Sequence, residues 1–423
     1  MIDDHLIQYY DLIFENNSFV YNTLSKQIYK IDKKNTYKRY KYLYDDEIEI
    51  HKFIVNSVLH EINSNTILTL RIIGSYRCNA CCKYCYQNNL KINDHSVKLD
   101  FSLLQNFIFD YILYNNITGI QFFWYGGEPL CYFDDIVDFI IELKKHIPKH
   151  ILIFNDISTN GYFLNSSLIH KCNELPNLSL SICMEPSKFL QEEYRPLKTK
   201  KTGVLYHKFM ETVSLFSSLY KTTFVFVLAK YNVDALFEFP KLLKKYNITK
   251  KDVFIGKLTN TTNCLPSELK NQLIRIDHFI KLRNELYLNF ISCGFDVPIQ
   301  RFNPFNSGCN YFVKNSFVVL PSGKISKCHV YTDDKLHIMG NTSSLKNDID
   351  FFDSFKECFK CKLLPICKGG CVNRYIKKSK RACLMKTTDG QHFNNFPISI
   401  IEQALKIMYV LKNNKQSGSF FEF

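Results

Sequence analysis

This sequence predicts a parallel α/β sheet, either open or rolled into a partial barrel, on three observations. Six strand-like runs recur between residues 67 and 255, and helical patterns lie between them. The segments that carry chemistry follow the strands rather than the helices. Alternating strands and helices imply parallel pairing through right-handed crossovers. In such folds ligands gather on loops leaving the C-terminal ends of the strands, so each motif is judged by the strand it follows.

Residues 1–66 are rich in Tyr, Lys and Asp; a strand-like FVYNTLSKQIYKI and a helical EIEIHKFIVNSVLHEI form a small leading module. The strands that follow are ILTLRII at 67–73, GIQFFW at 119–124, HILIF at 150–154, NLSLSIC at 177–183, TTFVFVLA at 222–229 and KDVFI at 251–255. FSLLQNFIFDYILY, FDDIVDFIIELKKHI, LYHKFMETVSLFSSL and VDALFEFPKLLKKY supply helices between them. A long helix is expected over 266–290 and a last one over 397–412. The expected organisation is therefore a module at 1–66, a core at 67–265, a linking helix within 266–300, a cysteine-rich domain at 301–385 and a C-terminal helix and tail at 386–423.

With 423 residues, 46% apolar and 22% charged, the chain has the composition of a folded protein larger than one core. The N-terminus MIDDHLIQYYDLIFENN has acid where a secretory signal has base, and no apolar run is long enough for a bilayer, so the cytoplasm is expected. There thiols stay reduced, and 16 cysteines point to metal rather than disulfides. The net charge of +14 is spread along the chain without a dense basic block, and neither nucleic acid nor membrane is expected as a partner.

The first strand runs into SYRCNACCKYCYQ. Cys78, Cys82 and Cys85 form a C-x3-C-x2-C array able to hold three irons of a cubane and leave the fourth open. Cys78 and Cys81 also have the spacing of a zinc knuckle. With Tyr84 before the last cysteine, the array resembles that of the radical S-adenosylmethionine (SAM) superfamily, C-x3-C-x-aromatic-C after the first strand of a partial, TIM-like (β/α)6 barrel.

Further elements resemble the same family, each after its own strand. Gly126-Gly127-Glu128-Pro129 matches the GGEP element that holds the methionyl amine, and Ser158-Thr159-Asn160-Gly161 is similar to the element facing the nucleoside. By the same resemblance Ser181 and Arg195 bind the methionyl carboxylate, Leu258 packs on the adenine and Tyr84 belongs to the SAM site. Where relatives have Ser-Leu-Asp-Gly, this chain departs with Ser181-Ile182-Cys183-Met184-Glu185.

Cys309, then Gly323-x4-Cys328, then Cys358-x2-Cys361-x5-Cys367-x3-Cys371, then Cys383 resemble the SPASM domain of peptide and protein maturases. The resemblance implies one auxiliary 4Fe–4S cluster on Cys358, Cys361, Cys367 and Cys383, and a second on Cys309, Cys328 and Cys371. Cys293, or more remotely Cys264, is the candidate fourth ligand, with a buried structural thiol as the alternative. Cys131, Cys172 and Cys183 match nothing and are expected to be core or incidental thiols.

The implied activity is reductive cleavage of SAM at the first cluster to a 5′-deoxyadenosyl radical that abstracts hydrogen from a ribosomally made precursor peptide, forming a thioether or other crosslink. Flavodoxin or ferredoxin is the expected electron donor. Anaerobic sulfatase maturation, which makes formylglycine, is the alternative; a non-catalytic zinc scaffold would explain the cysteines but neither GGEP nor STNG.

Overall fold

A computed structural model describes residues 9–14, 17–22, 28–31, 66–89, 97–199, 206–260, 265–297, 311, 313–330 and 337–345. The chain divides into two compact units, one of residues 1–65, 298–314 and 348–423, the other of 66–297 and 315–347. In the first, β1 (Tyr9–Phe14), β2 (Asn17–Asn22) and β3 (Ile28–Ile31) form an antiparallel sheet in sequence order. Among the described residues no helix is long and apolar enough to cross a membrane.

The second unit is built on β4 (Ile67–Ile73), β5 (Gly119–Tyr125), β6 (Leu152–Thr159), β7 (Leu178–Cys183), β8 (Lys221–Leu228) and β9 (Asp252–Lys257), all parallel and neighbours in sequence order. This is the predicted α/β arrangement of six parallel strands. The crossover helices include α1 (Phe101–Tyr114), α2 (Phe133–His146), α3 (Ile169–Asn173), α4 (Lys188–Tyr194), α5 (Tyr206–Leu219) and α6 (Val233–Lys245).

Every strand of the arc alternates between two environments, because successive side chains leave a strand on opposite faces. On β5, Phe122 and Trp124 are fully buried under the helices; Phe122 meets Phe139 of α2 edge-on at 5.9 Å, and Trp124 lies 6.3 Å from Phe101 of α1. The opposite face is only half-buried and strongly polar: Arg71, Gln121, Asp156, Ser158, Ser179, Ser181 and Thr223 share it with Phe123 and Tyr125. One face makes the core and the other stays half-buried and polar.

The third strand and the long helix depart furthest from the sequence reading. The third strand starts at Leu152 and runs on to Thr159, so Ser158 and Thr159 are strand residues and only Asn160 and Gly161 leave it, Gly161 at φ +77°. The long helix expected from 266 is a short α7 (Ser267–Lys270) and, after a turn, α8 (Ile276–Ser292).

Past the arc, β10 (Ser316–Val319) pairs in parallel with β4, matching Ser316–Val319 to Thr69–Ile72, while β11 (Lys324–Ser326), β12 (Ile338–Asn341) and β13 (Ser344–Leu345) continue the sheet antiparallel. The first strands of the segment expected as a separate cysteine-rich domain are thus hydrogen-bonded to the edge of the core sheet, making it ten-stranded. The predicted helix at 397–412 lies outside the described residues.

Candidate active site

The loop carrying Cys78, Cys82 and Cys85 leaves β4 at its C-terminal end and is fastened on two sides. Toward β5, Gly127 N–H donates to Ser75 O at 3.1 Å and Glu128 N–H to Arg77 O at 2.8 Å. Gly126 takes φ +119°, and a Cβ on Gly127 would lie 2.1 Å from Arg77 O. The second glycine is therefore demanded by the docked cluster loop itself. Toward α4, Cys81 N–H donates to Pro196 O (2.7 Å), Lys83 N–H to Tyr194 O (2.9 Å) and Lys198 N–H to Asn79 O (2.8 Å).

The three cysteines are half-buried, whereas Cys81 is exposed. Burial pushes the Cys78 thiol up to about 12; Ala80 N–H, at 3.4 Å from its sulfur, pulls the other way, and Glu128, Cys82 and Cys85 raise it further. A thiolate there needs a cation in place of the proton. Among the described residues no three His, Cys, Asp or Glu side chains converge on a point for a single metal ion. A cubane makes a different demand, since each cysteine ligates its own iron.

Glu128, 1% exposed, accepts from Leu130 N–H (3.1 Å), Thr159 Oγ1 (2.6 Å) and Asn160 N–H (2.8 Å). Burial raises its pKa and these three donors oppose the shift. Its side chain holds the end of β6 in place. Asn160 Nδ2 in turn donates to Asn79 Oδ1 at 2.7 Å and lies 3.9 Å from the Cys78 sulfur, bringing GGEP, STNG and the cluster loop together.

A second network centres on a residue the sequence reading treated only as a departure. Glu185, 1% exposed, accepts from Tyr84 OH (2.6 Å), Tyr231 OH (3.2 Å) and Asn232 Nδ2 (3.1 Å). Tyr84 OH accepts from Arg195 Nη1 at 3.1 Å. Arg195 is itself buried, and its Nε has no hydrogen-bond partner. The sequence signal was an acidic residue next to Pro186 in the segment that lacks the usual Asp-Gly, invisible as a partner of Tyr84 without the fold.

Ser181 Oγ donates to Asp156 at 3.0 Å, and Ser158 Oγ lies 3.7 Å from the Cys183 sulfur. Leu258 is buried with Ala229, Leu265 and Leu269, and Tyr84, Tyr194 and Tyr231 pack against that group. Of the unmatched thiols, Cys172 is buried, Cys131 half-buried, and Cys183 lies on the half-buried polar side of β7. Cys328 follows β11, its N–H donating to Ser326 Oγ at 3.1 Å, and Cys293 caps α8. Cys264, Cys309, Cys358, Cys361, Cys367, Cys371 and Cys383 lie outside the described residues.

Residues 69–198 match the model of a 4Fe–4S single cluster domain. The chain is 23% identical over 383 residues to a cysteine-type anaerobic sulfatase-maturating enzyme of Clostridium novyi, an alignment covering 80% of this chain and 96% of that protein. It is 25% identical over 337 residues to the cysteine-type enzyme of Clostridium perfringens, covering 70% and 86%. The chain is a homologue of the radical SAM maturating enzymes. Among solved structures the maturase fold recurs in anSMEcpe with bound AdoMet, at TM-score 0.59 and 19% identity over 82% of this chain and 99% of that one. It also recurs in Streptococcus suis SuiB bound to its precursor peptide SuiA, at TM-score 0.55 and 16% identity over 87% and 97%. The six parallel strands accordingly have the partial-barrel fold of these structures, and the homology marks the chain as an enzyme.

Proposed function

We propose that this maturase homologue modifies a ribosomally made precursor peptide, with Cys78, Cys82 and Cys85 holding the 4Fe–4S cluster. The observation that carries the cofactor assignment is the orphaned Nε of buried Arg195, since a buried charged donor without a partner is costly and a carboxylate supplies the missing acceptor. The donor set fits: three half-buried thiols on one strand-end loop leave an iron open, and Cys81, being exposed, stands apart from them. The cluster and SAM together supply a 5′-deoxyadenosyl radical when an electron donor of the flavodoxin or ferredoxin kind reduces them.

Arg195, aimed by Tyr84 and Glu185, binds the methionyl carboxylate, joined by Ser181 once its hydroxyl turns from Asp156; the Gly126–Gly127 segment takes the amine; Ser158 and Asn160 face the nucleoside, and Leu258 closes the adenine side. Glu128 braces that wall from behind through Thr159 and Asn160. The half-buried polar face receives the substrate, whose docking displaces the water there.

The leading module with its own sheet, β1–β3, favours a peptide with a leader segment, and the cysteines from Cys309 to Cys383 are read as ligands of two auxiliary 4Fe–4S clusters. Alignment over 80% of this chain with a sulfatase-maturating enzyme favours the second reading, oxidation of a Cys in a sulfatase to formylglycine. Anaerobically reconstituted protein given dithionite and SAM should release 5′-deoxyadenosine; a zinc-loaded protein, or an iron-loaded one that does not cleave SAM, overturns the assignment. With peptides added, loss of two hydrogens per Cys marks a thioether, and an aldehyde trapped by hydrazide marks formylglycine.

A further inference from the structure

Arg71 stands on β4 with its side chain on the half-buried polar face. Its guanidinium carbon lies 5.4 Å from the centre of the Phe123 ring and 5.5 Å from that of Tyr125, both on the neighbouring strand. Tyr86, directly after Cys85, stacks on Tyr125 at 6.5 Å, and His329, directly after Cys328, meets Tyr125 edge-on at 6.4 Å. Tyr86 OH donates to His329 O at 3.2 Å. The result is a cation set against a group of aromatic rings, Phe123, Tyr125, Tyr86 and His329, beside the cysteine loop.

That cation has no anion among the described residues. Among the described residues Arg71 makes no hydrogen bond or ion pair. Asp156, one strand beyond Phe123 in the same register row, accepts instead from Ser179 Oγ at 2.8 Å and Ser181 Oγ at 3.0 Å. A guanidinium stays charged at any working pH, and aromatic rings satisfy its faces but not its in-plane N–H fork. While the face is open, water solvates the fork. A substrate that lies on this face strips that water, and unless it brings an acceptor of opposite charge it strands a buried cation.

We propose that Arg71 is a substrate-binding residue that takes a carboxylate of the peptide in its planar fork, so that this enzyme selects an acidic group close to the modified residue. The carboxylate comes from an Asp or Glu side chain or from the peptide's C-terminus. This inference rests on the reading of the half-buried polar face as the peptide-binding face.

The test uses full-length, anaerobically reconstituted protein loaded with SAM, and short fluorescent peptides with a central Cys, carrying Glu or Gln beside it and a free or amidated C-terminus. Anisotropy titrations should show about tenfold or tighter binding for a carboxylate-bearing form than for the wholly neutral one. Whether the Glu or the free terminus gives the gain identifies the source. Arg71→Gln should erase the preference, and Arg71→Lys, which keeps charge without the fork, should retain part of it, both at wild-type iron content and unfolding temperature. Equal or no binding of all four peptides by the wild type, or a preference that survives Arg71→Gln, overturns the proposal. Release of 5′-deoxyadenosine by the wild type without peptide is measured in parallel; its failure removes the radical assignment and leaves the carboxylate preference to stand or fall by the titrations.

Discussion

At the scale of single residues, burial separates thiols that the sequence places side by side. Cys78, with its thiol pushed up to about 12, is only about one part in ten thousand thiolate at pH 8, whereas Cys81 is open to solvent. In metal-free protein iodoacetamide should therefore label Cys81 first and Cys78 slowly, the Cys78 rate rising steeply as pH climbs toward 12. After iron is restored, Cys81 should still react while Cys78, Cys82 and Cys85 are protected; peptide mass mapping reads both results, and protection of Cys81 in place of Cys82 would restore the zinc-knuckle pairing. Glu185 makes a second case. Its hydrogen-bonded route to Arg195 runs through Tyr84, and its charge also faces the guanidinium, so Glu185→Gln should weaken SAM binding about tenfold in equilibrium dialysis. It should also change the SAM-induced shift in the spin resonance spectrum of the reduced cluster. Added to Tyr84→Phe, it should cost less than the sum of the two single losses, because the two residues act through one hydrogen bond.

At the scale of elements, the loops are shaped by what they touch. Gly127 lies so close to Arg77 that Gly127→Ala forces the GGEP turn and the cluster loop apart. Such crowding costs about 1–3 kcal/mol where neighbours can move. Here the neighbour is backbone, so iron retention after reconstitution should fall well below wild type while far-ultraviolet dichroism is kept. The strands carry two messages in one alternating pattern. Phe122 and Trp124 on one face of β5 form core with Phe101 and Phe139, and Phe122→Ala should cost about 3–5 kcal/mol in denaturant unfolding. Gln121, Phe123 and Tyr125 on the other face stay half-buried.

At the scale of the whole molecule, the core does not end where its helices and strands stop alternating. β10 covers the free edge of β4, and an uncovered edge is a template for association. A chain of residues 66–297 should aggregate or self-associate on size exclusion, and one of residues 66–347 should do so far less; equal behaviour would mean that the β10 pairing contributes nothing. The same pairing delivers Cys328 and His329 beside Tyr125 and Tyr86, linking a cysteine of the second array to the wall of the first site within one sheet.

The order of strands, the C-x3-C-x2-C loop and the placement of GGEP and STNG after successive strands were legible in the sequence, because period-two burial and short local motifs are written in adjacent residues. Ser158 was legible as part of a motif but not as a strand residue, since the end of β6 is set by pairing with β7 rather than by its own composition. Glu185 and Arg71 were not legible at all. Nothing near Glu185 in the chain announces Tyr84, 101 residues away, and Arg71 reads as one polar position in an apolar strand. Their meaning depends on which charged groups are buried together and which are left without a partner. That is a property of long-range contacts in a low-dielectric interior, decided only when the strands close around them.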